Sequence, residues 1–173
     1  MREEATETKV KNIPLNKSKV LAFATHGLLS GELEGLAEPA LVLTPPINPT
    51  DQDDGLLKAS EVAQLKLDAD LVILSACNTA SADKPGAKGL SGLAKAFFFA
   101  GARALLVSHW PVESNAARAL TTNMFQRLEA NPLMGRAEAL RQSMMTLANK
   151  PETAHPFFWA PFVVVGEGGD PHK

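Results

Sequence analysis

The chain is short of several things, and each shortage narrows what it can be. It has 173 residues and a single cysteine, Cys77, so no internal disulfide can form and a multi-cysteine zinc site is excluded. Tyrosine is absent beside 8 phenylalanines, an imbalance that points to no function. Charge of either sign is not in excess: 17 Lys and Arg against 19 Asp and Glu leave a net charge of −2. That balance gives no electrostatic footprint for nucleic acid or an anionic lipid surface. No apolar run approaches the ~20 residues needed to cross a bilayer, and the first eighteen residues carry charge throughout, unlike a secretory signal. The expectation is an intracellular, cytoplasmic chain, with Asn16-Lys17-Ser18 idle as a glycosylation acceptor. Phosphate loops of the G-x-x-x-x-G-K-[ST] kind, G-x-G-x-x-G turns and G-x-S-x-G elbows are all missing.

What is present is one domain's worth of alternating apolar segments, 45% of the chain being hydrophobic and 21% charged. Residues 1–18 read as a polar lead-in or short helix. The unbroken run Val20-Leu21-Ala22-Phe23-Ala24 predicts a strand buried on both faces. Further strands are expected at Ala40–Leu43, Leu71–Leu74, Ala104–Val107 and Phe162–Val165. An acidic, turn-rich loop is expected over 47–55, closed by Gly55, with the acidic residues of 51–54 solvated. Ser60 is placed to cap a helix over 61–67. Apolar spacing predicts helices over 90–100 (Leu90, Leu93, Ala94, Phe97, Phe98), 115–130 (Leu120, Met124, Leu128) and 136–149 (Leu140, Met144, Leu147). Gly101 sits where a helix C′ residue belongs. Buried strands alternating with helices predict a three-layer α/β domain over 19–168 with a mainly parallel sheet, followed by a tail at 169–173.

Open parallel sheets bind ligands beyond the carboxyl ends of their strands. Three expected strands deliver polar residues there: His26, the Ser75-Ala76-Cys77 segment, and the turn from Ser108 to Glu113. A thiol and an imidazole on neighbouring strand ends make a cysteine nucleophile with an acid/base partner. Gly27, lacking a Cβ, lets its N–H approach a developing oxyanion, with the Cys77 N–H as a second donor. The His26-to-Cys77 interval of 77 − 26 = 51 residues is close to the ~50 of caspase-type sites. Against this stand plainer readings: a buried cysteine behaving as a small hydrophobe, and a histidine that only completes a turn. His109 follows Cys77 in order and reads as a rim or substrate-contact residue. His155 is expected to pack the final crossing with Phe157, Phe158 and Trp159, and His172 to lie in the tail. No H-x-x-x-H pair marks a metal site, and no cofactor is implied.

The segments FATHG, DGLLKASEVAQLKLDADLVILSACNTA, GLSGLAKAFFFAGARALLVSHWPV and HPFFWAPFVVVG, in that order over residues 5–168, resemble a CHAT domain. This is a caspase-like family of clan CD cysteine peptidases, related to separase and found beside TPR repeats in bacteria. The resemblance implies a dyad of His26 and Cys77 that hydrolyses protein or peptide substrates. It also implies that Ser108, His109, Trp110 and Glu113, with Ser75, shape the substrate pocket. Glu113 is then the carboxylate for a basic P1 side chain, unless it serves the start of the helix over 115–130. Lys84 and Lys88 in the 81–89 loop become candidate self-cleavage points. The caspase-like fold carries two further strands ahead of the strand that bears the histidine, and none is visible here. An exposed sheet edge is therefore expected, open to a second copy or to a TPR or N-terminal half-domain partner. Two other readings stand beside the peptidase: a catalytically silent interaction module on the same scaffold, and a flavodoxin-like ligand-binding domain.

Overall fold

A computed structural model describes residues 5–50, 52–74, 92–111 and 113–169. Its organising element is a four-stranded sheet of order β1-β5-β6-β7, built from β1 (Val20–Phe23), β5 (Leu71–Leu74), β6 (Ala104–Ser108) and β7 (Phe162–Gly166). The first three strands are parallel and β7 runs antiparallel to β6. The predicted mainly parallel sheet is therefore present, with its last strand reversed.

The two central strands are apolar over Leu71–Leu74 and Ala104–Val107 because both of their faces are covered. Val72, Leu74, Leu105 and Val107 point into one cluster with Phe97 of α3 (Gly92–Phe99). Leu71, Ile73, Ala104 and Leu106 point into the other, against Leu120 and Met124 of α4 (Ser114–Ala130) and Leu140 and Leu147 of α5 (Arg136–Ala148). This is a helix–sheet–helix sandwich, and the mixed α/β class read from the sequence is correct. Gly101 closes α3 with φ +109°, and a Cβ there would lie 2.4 Å from the Leu67 carbonyl oxygen.

A second, three-stranded antiparallel sheet sits beyond the end of β1. It consists of β2 (Gly27–Leu28), β3 (Ala40–Val42) and β4 (Leu56–Lys58), in that order. Only β3 is visible as an apolar run in the sequence. Two short helices complete the layer on the α3 side: α1 (Glu7–Asn12), capped by the Thr6 hydroxyl, and α2 (Ala59–Val62).

Four expectations need correction. β1 is not buried on both faces: Val20 is 44% exposed and Ala22 is exposed, because β5 is the sole described strand that pairs with it. The helix expected over 61–67 starts at Ala59 and ends at Val62. Ser60 does not cap it; its N–H and hydroxyl both donate to Glu38, at 2.7 and 2.6 Å. The acidic residues of 51–54 are not simply solvated, since Asp54 pairs with Lys58 at 2.6 Å and Asp53 accepts from Thr8. His155 does not pack the final crossing. It is exposed, and its Nδ1 accepts the Phe157 N–H at 3.2 Å to cap the 3-10 turn Pro156–Phe158.

Candidate functional site

Parallel strands end together, so the carboxyl ends of β1, β5 and β6 form one edge. Phe23, the last residue of β1, is in register with Leu74, the last of β5. His26 lies three residues beyond Phe23, and Cys77 lies three residues beyond Leu74 in the sequence. Cys77 and Ser75, like Lys84 and Lys88 of the expected self-cleavage loop, fall outside the described residues. Adjacent strands sit about 4.8 Å apart, so Phe23 and Leu74 end β1 and β5 side by side.

The backbone at His26 is held from two sides. Its carbonyl accepts the Val42 N–H at 2.8 Å, and the hydroxyl of the preceding Thr25 donates to the Val42 carbonyl. Both partners belong to β3, so the small sheet clamps the turn while leaving the His26 side chain exposed. Gly27 opens β2 opposite Leu41. With Val42 bonded to the His26 carbonyl, the ladder makes Gly27 and Leu41 a non-hydrogen-bonded pair. The Gly27 N–H is thereby turned away from β3, as a backbone donor to an incoming oxyanion must be.

On the far side of β5, β6 runs to Ser108, which is 2% exposed and stands opposite Phe162. The His109 N–H donates to the Pro161 carbonyl at 3.0 Å, and its side chain is exposed. Trp110 turns its indole N–H onto the Phe157 carbonyl at 3.2 Å. The reversed β7 thus brings the 155–161 connection up to the strand-end edge, where Phe157 is 46% exposed beside a half-buried Trp110. The sequence reading treats 157–159 as core. Phe158 and Trp159 do pack against the α4–α5 cluster, but Phe157 faces outward.

Glu113 is the N-cap of α4. Its carboxylate accepts the Asn115 and Ala116 N–H groups at 2.9 and 2.8 Å. Those two bonds hold its pKa below the usual glutamate range, because they favour the ionised form. The carboxylate is exposed and occupied at once by the helix terminus.

Two residues that matter to the edge go unnoticed in the sequence: Thr25 and Glu7. A threonine after an apolar run carries no distinctive signal. Glu7 lies in a polar helix, and its burial depends on groups almost fifty residues away. Among the described residues no three His, Cys, Asp or Glu side chains are grouped to hold a metal ion, and no helix is long and apolar enough to cross a membrane.

A mainly parallel sheet between two helical layers, with a histidine soon after one strand and, in the sequence, a cysteine soon after the next, is consistent with a caspase-like α/β domain. The family model of the CHAT domain matches residues 1–167, and the chain belongs to that family. Curated relatives are the mouse and human proteins called Tetratricopeptide repeat protein 28. Each is 33% identical to this chain over 115 residues, which is 64% of the chain and 4% of the relative. The chain therefore corresponds to a small part of those proteins.

Proposed function

We propose that the chain is a caspase-like cysteine endopeptidase module in which Cys77 is the nucleophile and His26 its acid–base partner. The observation that carries the reading is the register of Phe23 with Leu74, each followed three residues later by one member of the dyad. Membership of the CHAT family supports it. In the first step the Cys77 thiolate attacks the scissile carbonyl, and the Gly27 and Cys77 N–H groups stabilise the oxyanion. Collapse of the tetrahedral intermediate breaks the C–N bond as the His26 imidazolium protonates the departing amine. Water, deprotonated by His26, then hydrolyses the thioester, releases the new carboxylate and restores the thiol. The substrate-facing role is assigned to Ser75, His109 and Trp110, while Ser108, 2% exposed, is too buried to share it. Glu113 receives a basic P1 side chain only by sharing a carboxylate that the helix already uses.

A thiol-directed peptide probe tests this. Labelling should fall on Cys77, require the peptide portion and drop sharply in His26→Ala. Labelling indifferent to both the peptide and His26 overturns the reading.

The second reading is an interaction module that keeps the scaffold and works by binding. It is favoured by the relatives, in which the matching segment is 4% of a protein named for its tetratricopeptide repeats. The partner would be a repeat-bearing chain, or a second copy joined along the side of β1 that no described strand pairs with. Cleavage of a protein substrate that depends on Cys77 decides for the enzyme.

A further inference from the structure

Glu7 presents a problem of physical chemistry. Its side chain is fully buried in a short polar helix, and a carboxylate out of water is costly unless bonded on several sides. One of its oxygens accepts the N–H groups of Asp54 and Gly55 at 3.1 and 3.2 Å, and the other accepts from Lys11. Lys11 also reaches the Gln52 carbonyl and Glu61, each at 2.8 Å. Burial pushes the Glu7 carboxyl above the ordinary glutamate range, against the opposing pull of Lys11. Desolvation acts on Glu61 in the same sense, but the Lys11 ammonium and the Lys58 N–H outweigh it and hold that carboxyl low. Lys11 therefore shares its charge between the two acids.

The groups that Glu7 holds lead directly to the candidate site. Gly55 has φ +83° and sits so close to Pro45 that a Cβ would come within 2.9 Å of its Cα, so the turn admits no bulkier residue. The Gly55 carbonyl accepts the Leu43 N–H at 2.8 Å. The preceding residue, Val42, donates to the His26 carbonyl and accepts from Thr25, and the following residue, Thr44, donates to the Ala5 carbonyl at 2.9 Å. Three consecutive residues of β3 and its exit thus tie His26, the Glu7-bound turn and the start of α1 into one backbone ladder.

We propose that Glu7 is a positioning residue for His26, acting through Gly55, Leu43 and Val42. This rests on the reading of His26 as the acid–base partner. Glu7 touches no substrate; it fixes the strand against which the His26 turn is built. A group that lifted α1 away would withdraw the carboxylate and loosen His26 without touching it.

The test is residue-resolved amide hydrogen exchange on the full chain, comparing wild type, Glu7→Ala, Glu7→Gln and the remote core variant Leu120→Ala at equal global stability, set with urea. Removing a charged acceptor should speed exchange at Val42 and Leu43 about tenfold beyond Leu120→Ala. Glu7→Gln, whose carbonyl still accepts the Asp54 and Gly55 N–H groups, should recover most of the protection. The rate of His26-dependent Cys77 alkylation should follow the same order. If Glu7→Ala does not fold, Glu7→Asp takes its place, since the shorter side chain cannot span to the turn. Exchange at Val42 and Leu43 that matches Leu120→Ala, or a Gln variant no better than Ala or Asp, overturns the proposal. Alkylation that ignores His26→Ala overturns the peptidase reading instead, and leaves the exchange result to decide on Glu7.

Discussion

The His26 carbonyl and the Val42 N–H meet at 2.8 Å, so the turn that carries the candidate acid–base group is built on β3 and not on its own strand. The backbone from which the imidazole projects is thus fixed by Val42, on a strand outside the main sheet.

Thr25→Val keeps the shape of the side chain and removes the hydroxyl that donates to the Val42 carbonyl. The expected loss is about 1 kcal/mol of stability, the ordinary net worth of such a bond. It is read as a lower urea midpoint at unchanged m-value. Peptide-probe labelling of Cys77 should slow in the same variant.

Glu113 separates capping from specificity. Its pKa is lowered, so it favours folding above the usual glutamate range and loses that contribution as pH falls through and below it. Glu113→Ala should lower the melting temperature at pH 7 and flatten its fall between about pH 5 and pH 3. Glu113→Ser restores a capping oxygen without the charge. Its stability should recover, while any preference for Lys or Arg at P1 should not.

Gly101→Ala tests the joint between α3 and β6. The alanine would have to hold φ +109° with its Cβ against the Leu67 carbonyl. A cost on the order of 1–3 kcal/mol follows from the backbone conformation alone. Urea denaturation measures it, and a neutral substitution would show that the α3 terminus relaxes.

Phe97→Ala empties the centre of the α3-side cluster, where the ring is fully buried and lies 5.2 Å from that of Phe23. A loss of about 3–5 kcal/mol is expected. Because Phe23 ends β1 three residues before His26, the probe reaction should weaken even where the variant stays folded.

Glu138, in the first turn of α5, is held down to about 2 by Arg141 and Gln142. In the folded chain it should remain ionised as the pH falls through the ordinary glutamate value of 4.5, while its stabilising effect declines steadily from there to about pH 2. Carboxyl carbon shifts in an NMR titration follow this directly. Arg141→Ala, or high salt, should return the midpoint toward the ordinary range.

The central strands and long helices were legible because their signals are local. Leu71–Leu74 is apolar at all four positions, which requires cover on both faces, and Leu120 and Met124 mark one helical stripe. Val20–Phe23 looks the same in sequence, yet it lies at the margin of the described sheet; the chain does not encode how many neighbours a strand has. β2 and β4, of two and three residues, are too short for any periodicity. His26 was found because its strand is apolar and ends abruptly. Glu7 was not, since an acidic residue in a polar helix is ordinarily solvated, and only the folded chain brings it the Asp54 and Gly55 amides.

The reversal of β7 has a consequence for anything that enters along the sheet margin. A parallel last strand would be entered from the opposite end, leaving the flank of β6 open. An antiparallel one is entered from the end where His109 and Trp110 stand, so Pro156–Phe158 becomes a low parapet there. A polypeptide laid along that margin would meet aromatic rings on the β6 side and the small sheet of β2, β3 and β4 on the β1 side.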